Sequence, residues 1–459
     1  MGAWTSLTGV TPERQERSYS ATAYYKPVCE RPNLKVLTRA IAEEIVLEKD
    51  GGEWVVKGVT FTHDGQEHTV KTEGEVIVCG GSVSSPQLLE LSGIGNPEIL
   101  KAAGIECKIN NPNVGENLQE HMSKPPFISF LHLIPPNTLL VTAMVFEIDP
   151  STTTSEDLRS DPVLAASADK EYALHQAGPR TAIPSSVAYL PFTHFVPSDD
   201  LKALARSLNS GTEPQSLRDK ILLSRLLTDQ NLGQIEYNFD TSNYNPYYPS
   251  QPGKKYATML MMLQYPFSKG SIHISAVPPL PSAAAAGATN PKPTAETKPV
   301  INPQYYEGKG GALDFALMTL SQTFANLICK TPPLASIISR RVFPPAPETN
   351  GGGSEQPPLP ATASERTTKP HTHPTQPEDF APWIRATTIT DWHPVGTCAM
   401  GGHGGIRDGV VDARLRVYGA RGLRVCDASV MPLQIAAHLQ ATVYAIGEKG
   451  AEMIKEDLL

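Results

Sequence analysis

Alternating apolar and polar residues dominate the early part of the chain. β-Branched residues recur in 44–48 and 54–61, and each stretch is followed by a turn sequence, 49–52 (Lys-Asp-Gly-Gly) and 63–65 (His-Asp-Gly). A period of two residues broken by Asp-Gly turns is typical of strands joined by short hairpins. The pattern therefore predicts an antiparallel meander in this region.

The pattern changes at residues 75–81, where a continuous apolar run ends in two glycines. Such a run fits a strand that is buried on both faces, as in a parallel α/β sheet. Residues 85–93 then predict a helix with Pro86 in its first turn and Gly93 at its end, and residues 96–103 predict a second short helix.

Residues 122–390 have a different pattern, in which predicted helices and predicted strands both occur. Helices are predicted at 167–176, 198–208 and 216–227, and strands at 234–239, 257–265 and 270–275. The hydrophobic–polar alternation of the last strand indicates a sheet with one exposed face. Two low-complexity segments, 278–299 and 344–377, predict mobile surface loops because they are rich in proline.

The early pattern returns near residue 391. Short strands are predicted at 409–412, 415–419 and 423–427, and residues 440–458 have the apolar spacing of a long helix. We therefore predict an α/β (α+β) protein with one discontinuous domain, 1–120 and 391–459. A second domain, 121–390, is inserted between its two parts.

Composition restricts the possible functions. The chain has 459 residues, a net charge of −8 and a pI near 5.9, which argues against a nucleic-acid-binding surface. No run of about 18 apolar residues predicts a membrane span, and the amino terminus does not resemble a signal peptide. The six cysteines have no metal-ligand spacing.

The absence of a glycosylation sequon favours a cytoplasmic location. The oligomeric state is left open.

Two histidines near the end of the chain carry the candidate chemistry. His393 begins the sequence His-Pro-Val-Gly-Thr, and His438 begins His-Leu-Gln-Ala-Thr. Two imidazoles that face one cavity form a pair able to take a hydroxyl proton near neutral pH. From the residues alone, a buried histidine bonded to a main-chain carbonyl remains the alternative for each.

Further segments show that the chain resembles a known family. Residues 81–95 (Gly-Ser-Val-Ser-Ser-Pro-Gln-Leu-Leu-Glu-Leu-Ser-Gly-Ile-Gly) match in full the second signature of the glucose–methanol–choline (GMC) flavin oxidoreductases. Both histidine sequences, together with residues 113–121 and 427–432, resemble other blocks of that family in the expected order. The resemblance implies an FAD-binding domain with an inserted substrate domain built on an antiparallel sheet packed by helices.

One family feature is not found in the chain. Family members begin with a strand, a Gly-x-Gly-x-x-Gly turn and a helix that holds the FAD pyrophosphate, and this chain contains no such turn. The resemblance aligns Met1 with the middle of a family chain. It therefore implies an incomplete, discontinuous Rossmann-like domain.

The resemblance also implies roles for individual residues. His393 would take the substrate hydroxyl proton while hydride moves to the flavin, and His438 would hold the substrate oxygen. The other expected cofactor contacts are Trp392, the main chain of Leu439 and Gln440, Asp427 and Ala428 at a strand end, and Ala42 near the adenine. Plain turns or caps are the alternatives for Asp427 and for Gly80, Gly81 and Gly95.

The remaining histidines are not expected to form a site. His121, His273, His371 and His373 have no supporting residues in the sequence, and no metal site is predicted. The sequence thus predicts an FAD-dependent oxidoreductase that oxidises a CH–OH donor, a small alcohol. A non-redox lyase or cyclase that uses the same histidine pair, and an inactive remnant that does not bind FAD, are the alternatives.

Overall fold

The computed structural model describes residues 2–5, 9–121, 142–181, 186–209, 216–245, 248–276, 292–345, 377–388 and 390–458. The chain divides into two compact units. The sheet unit comprises Met1–Val36, Met122–Gln264 and Ala312–Asp391, and the histidine unit comprises Leu37–His121, Tyr265–Gly311 and Trp392–Leu459. The predicted division differs in two places, because residues 1–36 group with the sheet unit and residues 265–311 with the histidine unit.

The sheet unit is built on six strands in which every neighbouring pair is antiparallel. Their spatial order is Gly2–Thr5, Ser186–Leu190, Ile235–Asp240, Lys255–Leu263, Thr142–Ile148 and Ile338–Phe343. All residues of Lys255–Leu263 except the first are buried, as expected for a central strand covered on both faces. The strands predicted at 234–239 and 257–265 are confirmed.

The described residues of this unit also form several α-helices. They are Asp157–Ser160, Pro162–His175, Ser198–Asn209, Leu217–Thr228, Pro377–Thr387 and the greater part of Gly308–Cys329. Two of them begin at a capping side chain. Asp161 accepts the Val163 and Leu164 amides, and Ser216 accepts the Asp219 amide, which satisfies donors that the first helical turn leaves unpaired.

Gly308–Cys329 is the one helix of the described residues that is long and apolar enough to cross a membrane. Half of its most apolar window is buried. Phe324 stacks on Phe195 with ring centroids 4.3 Å apart and meets Tyr237 edge-on, and Asp314 is also buried. Packing within the sheet unit therefore covers part of the apolar surface of this helix.

The histidine unit contains the predicted meander. Strands Ala40–Asp50, Glu53–His63 and Gln66–Lys71 pair antiparallel in that order, and glycines with positive φ occupy the connecting turns. The predicted short helix also forms as Pro97–Ala102, with Asn96 capping the Glu98 amide.

A parallel strand pair joins distant parts of the chain in the histidine unit. Val76–Val78 pairs with Leu423–Val425, and Ala420–Arg421 runs parallel to Glu53–His63. The core around this pair consists of buried aliphatic side chains from both parts, among them Ile45, Val56, Val78, Leu89, Val410, Val417 and Val425. The parallel strand predicted from residues 75–81 is confirmed, but Val76 and Ile77 are half-buried and Val78 alone of the three is fully buried.

Three predictions about this unit need correction. Residues 409–412 and 415–419 do not form strands but make isolated bridges, such as Met400 with Val411 and Val411 with Val417. The strand predicted at 270–275 forms as Ser271–His273 and pairs with Val300–Asn302, outside the six-stranded sheet. Its neighbour Gly270 bridges to Leu118, so long-range pairing rather than local alternation decided its place. Most of the predicted loops 278–299 and 344–377 lies outside the described residues.

Candidate active site

The two predicted histidines meet in the histidine unit. The ring centroids of His393 and His438 are 5.3 Å apart, and the ring planes are 76° from parallel. His393 is half-buried and His438 is exposed. Two imidazoles at this separation can both reach one small polar group, which is the arrangement that proton transfer to or from a bound hydroxyl requires.

Each of these histidines follows a residue in the left-handed backbone conformation. Trp392 has φ 56° and Ala437 has φ 68°. A side chain other than glycine in this region costs about 1–3 kcal/mol and persists only where the surrounding structure enforces it. The same strained backbone conformation therefore precedes both imidazoles.

Hydrogen bonds hold the main chain of His393 on both sides. Its N–H donates to Glu120 Oε1 at 3.0 Å, and its carbonyl oxygen accepts from Gln434 Nε2 at 2.8 Å. The second carboxylate oxygen of Glu120 accepts the Tyr305 hydroxyl at 2.7 Å. These contacts keep the strained peptide in place, and none of the three partner residues was predicted from the sequence.

The segment 113–121 supplies much of this framework. Gln119 and Val395 exchange both main-chain hydrogen bonds, and Gly115 donates to the Thr397 carbonyl. Gly115 also approaches the strand Ser271–His273 closely, because a Cβ at this glycine would lie 2.2 Å from the Ile272 carbonyl oxygen. The glycine is thus required by close main-chain packing, and the segment lies beside the block that contains His393.

The helix Gly81–Leu91, called here the signature helix, holds the same block from its other side. Ser82 Oγ donates to the Pro394 carbonyl at 2.6 Å, and Thr397 Oγ1 donates to the Ser82 carbonyl at 2.7 Å. Pro86 lies inside the helix and lacks the N–H that would ordinarily bond to the Ser82 carbonyl. The helix begins four residues earlier than predicted, so Pro86 leaves an acceptor that Thr397 uses.

A third histidine joins the pair. His121 is fully buried, and its Nδ1 lies 3.0 Å from His393 Nδ1 with the rings 87° from parallel. The expectation that His121 has no supporting residues was wrong, because its partner is separated from it by 272 positions in the chain. Its place in the block 113–121, beside Glu120, was the signal in the sequence that pointed to a role.

His273 also has partners that the sequence did not reveal. Its Nδ1 lies 2.7 Å from Glu90 Oε1 and its Nε2 lies 3.1 Å from Glu116 Oε1. Glu90 is fully buried on the signature helix. His273 therefore forms an ion-pair cluster, whereas His371 and His373 lie outside the described residues.

Asp427 shapes the turn after the strand Leu423–Val425. Its Oδ2 accepts the Gly81 amide and the Ser85 hydroxyl, while its Oδ1 accepts the amide and hydroxyl of Ser429. Four donors therefore engage the carboxylate. Gly81 has φ 74°, and a Cβ there would meet nothing within 4 Å, so the glycine is needed for its conformation. The capping role that the sequence left open for Asp427 is present.

The other predicted contact residues are distributed as follows. Trp392 is 46% exposed and adjoins His393, while Ala428 is half-buried beside Asp427. Leu439 is buried and Gln440 begins the carboxy-terminal helix Gln440–Asp457. Ala42 is exposed on the strand Ala40–Asp50 opposite Phe61, next to an irregularity in the pairing.

Comparison with known proteins identifies the family. Two models described as GMC oxidoreductase match residues 5–123 and 289–447. This chain belongs to the GMC oxidoreductase family. The dehydrogenase citC of Monascus ruber is 28% identical over 463 residues, a match that covers 96% of this chain and 64% of that protein.

Solved structures show the same fold. A formate oxidase from Aspergillus oryzae matches with a TM-score of 0.73 at 21% identity, covering 99% of this chain and 66% of that chain. A fungal aryl-alcohol oxidase matches with a TM-score of 0.69 at 21% identity, covering 99% and 67%. The chain thus spans about two-thirds of the length of the GMC proteins that it matches, and the mixed α/β fold with an antiparallel sheet is confirmed.

Membership of this GMC family implies FAD as the cofactor. The chain offers groups suited to a flavin, namely the exposed Trp392, His438 and Gln440 and the half-buried His393 and Ala428. The Asp427 carboxylate is engaged by donors within the protein.

Proposed function

We propose that this GMC oxidoreductase chain provides the proton-handling side of an active site that oxidises a CH–OH donor. The observation that carries the proposal is the His393–His438 pair, whose rings lie 5.3 Å apart and whose preceding residues are both in strained left-handed conformations. FAD, when bound, supplies the hydride acceptor. The similarity to an aryl-alcohol oxidase supports an alcohol as the donor.

The residues of this chain have separate roles in the proposed reaction. His393 takes the hydroxyl proton, and its main chain is held in position by Glu120 and Gln434. His438 donates a hydrogen bond to the same oxygen and stabilises the negative charge that develops there. Trp392 and the first residues of the helix Gln440–Asp457 would cover the ring system, and the turn at Asp427 and Ala428 would lie along the chain of the cofactor.

The proposal is tested by adding FAD to the purified 459-residue chain and measuring flavin absorbance at about 450 nm. Oxidation of a panel of small alcohols is then followed with an artificial electron acceptor. We expect a bound flavin, and we expect His393→Ala and His438→Ala each to lower kcat/KM by about 100-fold or more with the flavin retained. The exposed His403 provides the control variant His403→Ala, which should be unchanged.

Two results would contradict the proposal. A chain that takes up no FAD would not be the oxidoreductase proposed here. If FAD binds but the product has the oxidation state of the substrate and no acceptor is reduced, the histidine pair serves a lyase or cyclase reaction instead.

A further inference from the structure

The contact between His121 and His393 has a direction, from a donor nitrogen to an acceptor nitrogen, as well as a length. The two Nδ1 atoms are 3.0 Å apart, which is a hydrogen-bond distance. One of the two nitrogens must carry the hydrogen and the other must offer a lone pair. The identity of the donor decides which nitrogen of His393 is left as a base.

The carbonyl of Ile435 settles the direction of this bond. His121 Nε2 lies 2.8 Å from the Ile435 oxygen, and a carbonyl oxygen can only accept, so His121 carries its hydrogen on Nε2. In the neutral ring of His121 the other nitrogen, Nδ1, then carries the lone pair. This nitrogen therefore accepts, and His393 Nδ1 donates.

We infer that His121 is a positioning residue that holds His393 in the tautomer protonated on Nδ1, so that Nε2 is the basic nitrogen. The inference deepens the proposed function and rests on it for the role of His393 as the base. The tautomer itself is a property of the protein and can be measured without turnover.

The hydrogen bond persists when His393 takes a proton. The substrate O–H bond breaks, the proton joins His393 Nε2, and the ring becomes an imidazolium that still donates from Nδ1 to His121. No partner has to reorient during the transfer, which is the property of a preorganised site. The link from Ile435 through His121 to His393 also connects the loop before His438 to the base.

The test uses the full-length chain labelled with ¹⁵N-histidine. We expect His393 Nε2 to show the chemical shift of an unprotonated nitrogen, and His393 Nδ1 to be protonated with a ¹⁵N–¹⁵N coupling to His121 Nδ1 across the hydrogen bond. Assignment uses the single variants His393→Gln and His121→Gln. A spectrum in which His393 carries its proton on Nε2 would overturn the inference, whatever the activity.

Two matched variants separate positioning from folding. The amide oxygen of His121→Asn lies near the position of Nδ1 and can still accept from His393, whereas the amide of His121→Gln reaches the Ile435 carbonyl and leaves His393 Nδ1 without this acceptor. We expect His121→Asn to keep the tautomer and most activity. His121→Gln should lose the tautomer and lower kcat about tenfold or more with a small change in KM.

The outcomes distinguish this inference from the proposed function. If the tautomer is as stated but His393→Ala is fully active, the proposed function fails while the hydrogen-bond direction stands. If His121→Gln keeps both the tautomer and the activity of the unmodified protein, the positioning role is wrong. If His121→Gln does not fold, the inference is still tested by the spectra of the unmodified protein and of His121→Asn. Loss of the tautomer in a folded His121→Asn protein would contradict the inference.

Discussion

At the scale of single residues, the imidazole of His273 lies between two carboxylates. Burial by itself would lower the pKa of His273, but the hydrogen bonds and charges of Glu116 and Glu90 outweigh it and raise the pKa to about 9. The charged form is therefore favoured when the protein is folded. Glu90 Oε2 also accepts the Ile274 amide at 2.7 Å, so the cluster attaches the signature helix to the strand Ser271–His273.

This raised pKa predicts a pH-dependent stability. The unfolded value is near 6.5 and the folded value is about 9, so the contribution of His273 is complete below about pH 6.5 and is lost as the pH rises through about 9. His273→Gln should lower the free energy of unfolding by about 3 kcal/mol at pH 6 and by much less at pH 10. Urea unfolding at both pH values measures the difference.

The control for this prediction is His403→Gln, because His403 is exposed. It should change stability by less than about 0.5 kcal/mol at either pH. If His273→Gln lowers the free energy of unfolding equally at pH 6 and pH 10, then His273 stabilises the protein by packing and not by the charge of its imidazole.

At the scale of secondary-structure elements, the signature helix is attached to the segment 393–397 through a main-chain hydrogen bond that the helix lacks. Pro86 removes the amide that would bond to the Ser82 carbonyl, and the buried Thr397 hydroxyl takes that acceptor. Ser82 in turn bonds the Pro394 carbonyl. A proline that would weaken an isolated helix thus creates the connection that places His393.

We predict that Thr397→Val destabilises the protein by about 1–3 kcal/mol, because it leaves the Ser82 carbonyl buried without this donor. Pro86→Ala returns an N–H at the position that can bond to the same carbonyl, so Thr397→Val should cost less in the Pro86→Ala background. Urea unfolding of the two single variants and the double variant gives the coupling energy. The half-buried Thr60, which bonds Thr69 across two strands, provides the neutral control Thr60→Val. Strict additivity of the two changes would contradict the proposed exchange of donors.

At the scale of the whole molecule, a buried arginine joins the two ends of the histidine unit. The Arg424 side chain is 1% exposed and makes paired hydrogen bonds to Glu75 at 2.9 Å. It also bonds to Asp457, at the end of the carboxy-terminal helix, and to the Arg414 carbonyl. The first and last parts of the chain are therefore held together by charge as well as by the parallel strand pair.

Removal of this arginine should loosen the connection between the two parts. We expect Arg424→Met to lower the stability of the histidine unit by about 3 kcal/mol, because it leaves the Glu75 carboxylate without the arginine that pairs with it. Faster amide hydrogen exchange in Leu423–Val425 and in Val76–Val78 measures the effect. Arg421→Met is the matched control, since Arg421 is 62% exposed and its pair with Asp50 is a surface contact worth about 1 kcal/mol or less. Unchanged exchange in Arg424→Met would show that the apolar core alone holds these strands.

Local pattern was sufficient for much of the fold. The meander strands at residues 44–48 and 54–61, the parallel strand Val76–Val78 and the helix Gln440–Asp457 were predicted, because strand and helix periods are expressed over neighbouring residues. The two histidine blocks were found for a similar reason, since each is a short run of residues that can be recognised in the sequence alone.

Only the tertiary structure decided which residues of the distant segments contact one another. The partner of His121 is 272 positions away, His273 finds Glu90 183 positions away, and Ser82 meets Thr397 across 315 positions. Such contacts depend on which elements pack together, and no local period encodes that. The sequence determined that two histidine sequences are present, and the packing of distant segments decided that His121 lies against His393.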